Sequence, residues 1–297
     1  MKNKNKCLII DGNNLAHRAY HQYKNMRSSD GKPSGVVFGV PYILWSLIKT
    51  HNAGDVIVAF DGGRDKNRLK AWPDYKMRKP KDDFNFEDFI AQKEDAKKIL
   101  ECLGIKMIFK KGLEADDIIW LIARRYSRKG QVMIVSTDKD FVQLIDKNIS
   151  LWNPWKNERI THLNYDKHYP FNPSQCVDYL SLDGDTSDNI PGYKGVGEKT
   201  ALEFLSVYGS IENYLNQPDL PEHKKIKRDT LEEIYKRNKL LIDIKYFCKT
   251  TKLKFKDIPV IKPKKINKKE LSLICSNYSI NMFSKDDFIL TYKKLLK

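Results

Sequence analysis

An α/β fold, a doubly wound and mostly parallel sheet with a helical region after it, follows from three features of this sequence. Short and nearly continuous apolar runs, CLII at 7–10, VIVAF at 56–60 and MIVST at 133–137, have the composition of strands buried on both faces. A helix-period pattern follows each run, and that alternation builds parallel sheets. After about residue 165 the patterns turn helical, with glycine-rich turns. The expected division is an α/β domain over 1–165 and a helical region over 166–297.

In order along the chain, CLII gives a strand at 7–10, and residues near 35–50 carry an apolar helical pattern. A second strand covers 55–60. The stretch 62–84 is basic and irregular, and the helix expected over 85–103 shows Phe86, Phe89, Ile90, Leu100 and Leu103 on one side. A strand at 105–109 precedes a helix at 114–127, in which Ile118, Leu121 and Ile122 turn toward the sheet while Glu114 and Asp117 share a face. A strand at 132–137, a short helix after Asp140 and a strand near 149–152 complete the domain.

Lysine and arginine number 54 against 38 acidic residues, a formal net charge of +16. That excess points to a polyanionic partner, and nucleic acid fits better than an anionic membrane because no convincing basic amphipathic helix is present. The five cysteines (Cys7, Cys102, Cys176, Cys248, Cys275) are scattered without C-x-x-C spacing, which argues for a reducing compartment and against zinc or a disulfide framework. The leader MKNKNK is followed only by CLII, too short for a signal peptide, and no run reaches the ~18 apolar residues of a membrane span. A soluble, cytoplasmic, monomeric protein is expected.

Against this positive background, nine acidic residues fall in five clusters: Asp11; Asp61; Glu114 with Asp116 and Asp117; Asp138 with Asp140; and Asp185 with Asp188. Asp11, Asp61 and Asp138 each follow an expected strand, so they should meet at the carboxyl edge of the sheet, where open α/β sheets bind ligands. One aspartate after a strand is ordinarily a turn former or a helix N-cap. Five clusters need a countercharge, and divalent metal is the simplest source.

Two further segments carry binding chemistry. The 62–84 stretch interleaves Arg64, Lys66, Arg68, Lys70, Lys76, Arg78, Lys79 and Lys81 with Trp72 and Tyr75. Cations follow phosphates and rings stack on bases, so this mixture suits a nucleic-acid strand; a mobile, solvated loop is the competing reading. In PGYKGVGEKTALEFLSVYG at 191–209, Gly195-Val196-Gly197 makes a tight turn ahead of a helix starting near Glu198, a geometry in which backbone N–H groups hold phosphate.

Five segments, DGNNLAHRAYH (11–21), WPDYKMRKP (72–80), GLEADD (112–117), STDKDFVQL (136–144) and GDTSDNIPGYKGVGEKTA (184–201), together resemble the signatures of the 5′-nuclease superfamily. The likeness runs over roughly residues 7–245 and is strongest to phage flap endonucleases and the 5′–3′ exonuclease domain of bacterial DNA polymerase I. It implies a PIN-like nuclease domain with a helical arch at 62–84, and a helix-three-turn-helix with a helix-hairpin-helix at 183–209 for duplex DNA. Asp11, Asp61, Glu114, Asp116 and Asp117 look like the ligands of a first Mg2+, with Asp138, Asp140, Asp185 and Asp188 around a second, and Mn2+ able to substitute. Arg18 and Lys76 match residues that contact the scissile phosphate, and Arg68, Tyr75, Arg78 and Lys79 join them as DNA contacts. Relatives usually carry an arginine three residues past the lysine; here that position is Lys79 and the arginine is Arg78. Gly195, Gly197 and Lys199 match the hairpin that contacts duplex phosphate and often holds K+.

The implied function is hydrolysis of DNA at 5′ flaps or ends during replication or repair. The alternatives are an RNase H-type, primer-removing nuclease acting on RNA–DNA hybrids through the same metal site, and a non-catalytic DNA-binding replication scaffold, which intact carboxylate clusters disfavour. With no length left for a polymerase module before Lys297, a stand-alone enzyme is expected.

Overall fold

The apolar runs form the middle of one sheet. The computed structural model describes residues 3–77, 84–259 and 265–295. The order is β1 (Asn3–Asp11), α1 (Gly12–Gln22), α2 (Gly35–His51), β2 (Ala53–Ala59), α3 (Lys66–Ala71), α4 (Phe86–Cys102), β3 (Lys106–Ile108), α5 (Ala115–Tyr126), β4 (Gln131–Val135), β5 (Ile149–Asn153) and β6 (Glu158–Ile160). The strands lie in the order β3-β2-β1-β4-β5-β6. All pairings are parallel except β5 with β6. The chain steps from β1 outward to β3, then crosses back to β4 on the other side of β1. The topological switch point therefore falls between β1 and β4, the place at the carboxyl ends of the strands where open α/β sheets bind ligands.

Side-chain alternation divides the core between the two faces. Leu8, Ile10, Val56, Val58, Met133 and Val135 pack with α1, α2 and α4. Cys7, Ile9, Ile57, Ala59, Val132 and Ile134 pack with α5 and, beyond it, with the helical region. That region comprises α6 (Cys176–Asp183), a two-stranded hairpin of β7 (Gly184–Asp185) and β8 (Ile190–Pro191), α7 (Glu198–Tyr208), α8 (Ile211–Asn216), α9 (Arg228–Ile242) and α10 (Ile244–Thr250). No helix among the described residues is long and apolar enough to cross a membrane.

Two expectations need correction, and one strand is new. The last helices, α11 (Lys268–Ser276) and α12 (Asp286–Leu295), do not join the helical region but return to the α2/α4 face. The Tyr292 hydroxyl donates to the carbonyl of Pro41 at 2.8 Å, and Trp45 Nε1 donates to Thr291 Oγ1 at 3.1 Å. A boundary at 165/166 thus separates α11 and α12 from the layer they complete. The 62–84 stretch is not wholly irregular, because Asp65 caps α3 by accepting from the N–H groups of Asn67 and Arg68; six residues are too few to show a helical period. The antiparallel β6 had no signal of its own, being three residues long. Residues 78–83 of the expected arch, with Arg78, Lys79 and Lys81, lie outside the described residues.

Candidate active site

Asp11 is the last residue of β1 and the N-cap of α1, so its carboxylate accepts from the Asn14 N–H at 3.0 Å. Ser136, just past β4, donates its hydroxyl to the other oxygen at 2.9 Å, which spans the switch point. Asp61 follows β2 and accepts from the Ala115 N–H at 2.6 Å and from the Asn13 amide. Gly62 makes that approach possible: a Cβ there would lie 1.7 Å from the Lys110 carbonyl oxygen. Asp138 caps a 3-10 turn by accepting from the Asp140 N–H at 2.9 Å. Asp185 ends β7 and accepts from Ser187 Oγ at 2.6 Å, with Asp188 in the turn that follows.

Lys76 stands at the centre. Its ammonium lies 2.7 Å from Glu114 Oε2, 3.1 Å from Asp116 Oδ2 and 3.4 Å from Asp188 Oδ2, with its side chain 19% exposed. Its backbone is left-handed, φ 52°, a conformation that costs an L-residue roughly 1–2 kcal/mol and persists only where surroundings impose it. Arg18 sits two turns along α1 from Asp11, on the same side of that helix.

The carboxylates burden one another. Burial, then Asp116, push Asp11 up to about 7 despite the Asn14 and Ser136 hydrogen bonds. Burial, Asp116 and Asp188 push Asp138 up to about 8, and burial with Asp138, Asp188 and Asp185 also raises Asp140 well above the usual carboxylate range. Asp61 is raised by burial and Asp116, and Asp188 reaches about 6 by burial against the pull of Lys76. Glu114 goes the other way: burial opposes its charge, but Lys76 and Arg68 outweigh burial and hold it at about 2.

Several residues are placed differently from their sequence roles. Arg68 is buried, donating from both terminal nitrogens to Asp117 at 2.7 and 2.8 Å, with its guanidinium 3.7 Å from the Phe247 ring centroid. It cannot reach a phosphate from there, and each Asp117 oxygen accepts one of its N–H groups, so this pair anchors α3 to α5 and α10. Burial lifts Asp117 to about 6 while Arg68 pulls it down, which leaves the pair ionised at neutral pH. Tyr75 is also buried, its hydroxyl donating to Glu114 at 2.8 Å, so its ring offers no face to a base. Asn13, Asn14 and Ser136 were not singled out by sequence reasoning, although all three lie inside the segments DGNN and STDKD. Gly195 (φ 80°) meets no atom within 4 Å of a would-be Cβ, and Gly197 caps α7 with Lys199 exposed beside it.

The residues fit divalent metal. The donors are oxygen, without histidine or cysteine, which suits a hard cation such as magnesium. Asp140 Oδ1, Asn13 Oδ1 and Asn14 Oδ1 are buried without a hydrogen-bond partner. Among the described residues no three such side chains close into a preassembled cage, and the Lys76 ammonium stands between the carboxylates. Magnesium keeps several of its waters, so carboxylates standing apart can serve it.

A pH dependence follows. Carboxyls raised in the folded state hold protons that the unfolded chain releases above about 4, so without metal stability falls as pH rises from about 4 toward 8. Magnesium requires the ionised forms, so it should raise Tm by several degrees at pH 8 and much less at pH 5. Thermal unfolding in chelator and in magnesium at both pH values checks this. A Tm that ignores pH and magnesium alike would show that these groups do not share one cation site.

The family model described as "5'-3' exonuclease, N-terminal resolvase-like domain" matches residues 6–170, and "5'-3' exonuclease, C-terminal SAM fold" matches 171–265. A 5'-3' exonuclease of Aquifex aeolicus is 35% identical over 261 residues, 86% of this chain and 89% of that protein. Thermostable DNA polymerase I of Thermus thermophilus is 35% identical over 218 residues, 73% of this chain but 26% of that protein. Among solved structures, bacteriophage T5 5'-exonuclease with bound zinc superposes with a TM-score of 0.71 at 21% identity, covering 98% of this chain and 100% of that one.

Proposed function

This chain belongs to the 5'-3' exonuclease family, and from that premise we propose that it hydrolyses DNA phosphodiester bonds near 5′ single-strand/duplex junctions with two Mg2+ ions. It is a nuclease of mixed α/β fold with a helical C-terminal region of SAM type. The observation that carries the finer reading is the Lys76 ammonium within 3.4 Å of Glu114, Asp116 and Asp188, with the buried Asp11, Asp61, Asp138 and Asp140 each close enough to Asp116 to be raised by its charge.

Asp11, Asp61, Asp116, Asp138, Asp140, Asp185 and Asp188 would hold the ions, with Glu114 beside them. Bound there, such ions supply Lewis-acid stabilisation of phosphoryl charge and acidify water. Lys76 offsets negative charge that builds on the phosphate, and Arg18, on the Asp11 side of α1, adds a second positive group. The exposed turn at Gly195 and Gly197 and the Lys199 ammonium would hold duplex phosphates, with K+ at the turn adding a positive charge if bound, so recognition would follow backbone shape and not sequence. Arg78 and Lys79 would contact the 5′ strand. We place the enzyme in the cytoplasm as a monomer.

The test is single-turnover cleavage of a 5′-labelled DNA flap in magnesium, against calcium or chelator, beside a matched RNA flap. A cut near the junction in magnesium alone is expected, with Mn2+ able to replace it. Preference for the RNA flap would favour primer removal, and tight binding without a cut in any metal would favour a scaffold. Asp138→Ala should abolish cleavage and keep flap binding; full activity would remove Asp138 from the metal site.

A further inference from the structure

We propose that Trp72 and Asn189 are positioning residues that latch the turn bearing Lys76 to the strand leading into the DNA-binding hairpin, and so set where the Lys76 ammonium points. This rests on the reading of Lys76 as the group that meets the scissile phosphate.

The turn at 72–77 is tied to the α/β domain by Tyr75, buried with its hydroxyl on Glu114, and by Arg64, which donates to the Tyr75 carbonyl. Three hydrogen bonds hold it to residues 188–189. The Trp72 indole N–H donates to the Asn189 carbonyl at 2.8 Å, the Asn189 amide donates to the Asp74 carbonyl at 2.9 Å, and the Lys76 N–H donates to the Asp188 carbonyl at 2.8 Å. Both partners are left-handed at non-glycine residues, Lys76 with φ 52° and Asn189 with φ 55°. Asparagine adopts this region readily, but lysine does not, so the Lys76 turn depends on the bonds that residues 188–189 supply.

The latch has a back wall. Arg237 of α9 lies 4.9 Å from the Trp72 ring centroid and donates to the Pro191 carbonyl at 3.0 Å, while its neighbour Asn238 donates to the same carbonyl at 2.9 Å. Pro191 ends β8, four residues before Gly195. The segment 188–191, a turn running into β8, thus carries the Asp188 carboxylate, the carbonyls that fix the Lys76 turn and the approach to the glycines at 195 and 197. Duplex DNA seated on the hairpin and the cation at the cleavage centre are held in register through Trp72 and Asn189.

Displacing a reacting group by about 1 Å commonly costs on the order of 10²-fold in rate. Trp72→Phe keeps a ring against Arg237 and removes the N–H; Asn189→Gly keeps the left-handed backbone and removes the amide. Each should slow single-turnover cleavage of a 5′ flap in magnesium about 10- to 100-fold, with flap affinity in calcium unchanged. Made in a Lys76→Ala background, neither should slow cleavage further, because the latch acts only through that ammonium; a merely structural role would add its own loss. Full rates in both single variants, or equal losses with and without Lys76, would overturn the latch. If Lys76→Ala itself cleaves at full rate, the reading of Lys76 fails and the latch with it; a slow Lys76→Ala beside fast latch variants fails the latch alone.

Discussion

Lys76→Ala should lower single-turnover cleavage by ~10²–10³-fold while leaving affinity for flap DNA nearly unchanged. Lys76 is the cation enclosed by Glu114, Asp116 and Asp188, at 2.7, 3.1 and 3.4 Å. A single lysine among 54 basic residues contributes little to holding a duplex, but a charge placed where the transition state gains negative charge acts on the rate. The same replacement leaves the three carboxylates without their only close ammonium in the described residues, so magnesium should bind the DNA-free protein more tightly than it binds wild type. Calorimetric titration with magnesium and quench-flow cleavage measure the two effects separately. Equal losses in rate and flap affinity would reduce Lys76 to a binding residue, and unchanged magnesium affinity would show that ammonium and metal do not compete.

Arg68→Met should destabilise the fold by about 3–5 kcal/mol, since it leaves Asp117 buried and uncompensated. The side chains are 2% and 0% exposed, so solvent cannot screen the orphaned charge. Met refills much of the volume against Phe247, which isolates loss of charge from loss of packing. The double variant Arg68→Met/Asp117→Leu should recover most of that loss. Urea unfolding of the four proteins in the cycle gives the coupling, and a cost below about 1 kcal/mol for Arg68→Met would refute the anchor assignment. Asp117→Asn provides a second check: an anchor leaves magnesium affinity intact, whereas Asp116→Asn should weaken it.

Periodicity and composition suffice for the α/β class and for the parallel strands at 7–10, 55–60 and 132–137, because a strand buried on both faces must be apolar throughout and few other elements look alike. The same logic locates the acidic residues: parallel topology sends Asp11, Asp61 and Asp138 to one edge whatever the packing details. Short elements are a different matter. Neither α3 nor β6 contains enough residues to express a period, and the return of α11 and α12 to the α2 face is a long-range choice that no local pattern records.

By itself, then, the sequence determined which residues are chemically able to act: the oxygen donors, the basic stretch at 62–84 and the glycine turn at 195–197. Only the tertiary structure decided what each one does. Arg68 and Lys76 look equivalent in a run of cations, yet Arg68 is buried beneath Phe247 against Asp117 while Lys76 is held left-handed with its ammonium among the site's carboxylates. Asp116 and Asp117 are adjacent, yet one faces the cleft and the other the interior. Successive residues on a helix diverge by about 100°, so which of two neighbouring carboxylates meets the site depends on how α5 is rotated against the sheet and α10. That rotation is set by the packing of residues distant in the chain.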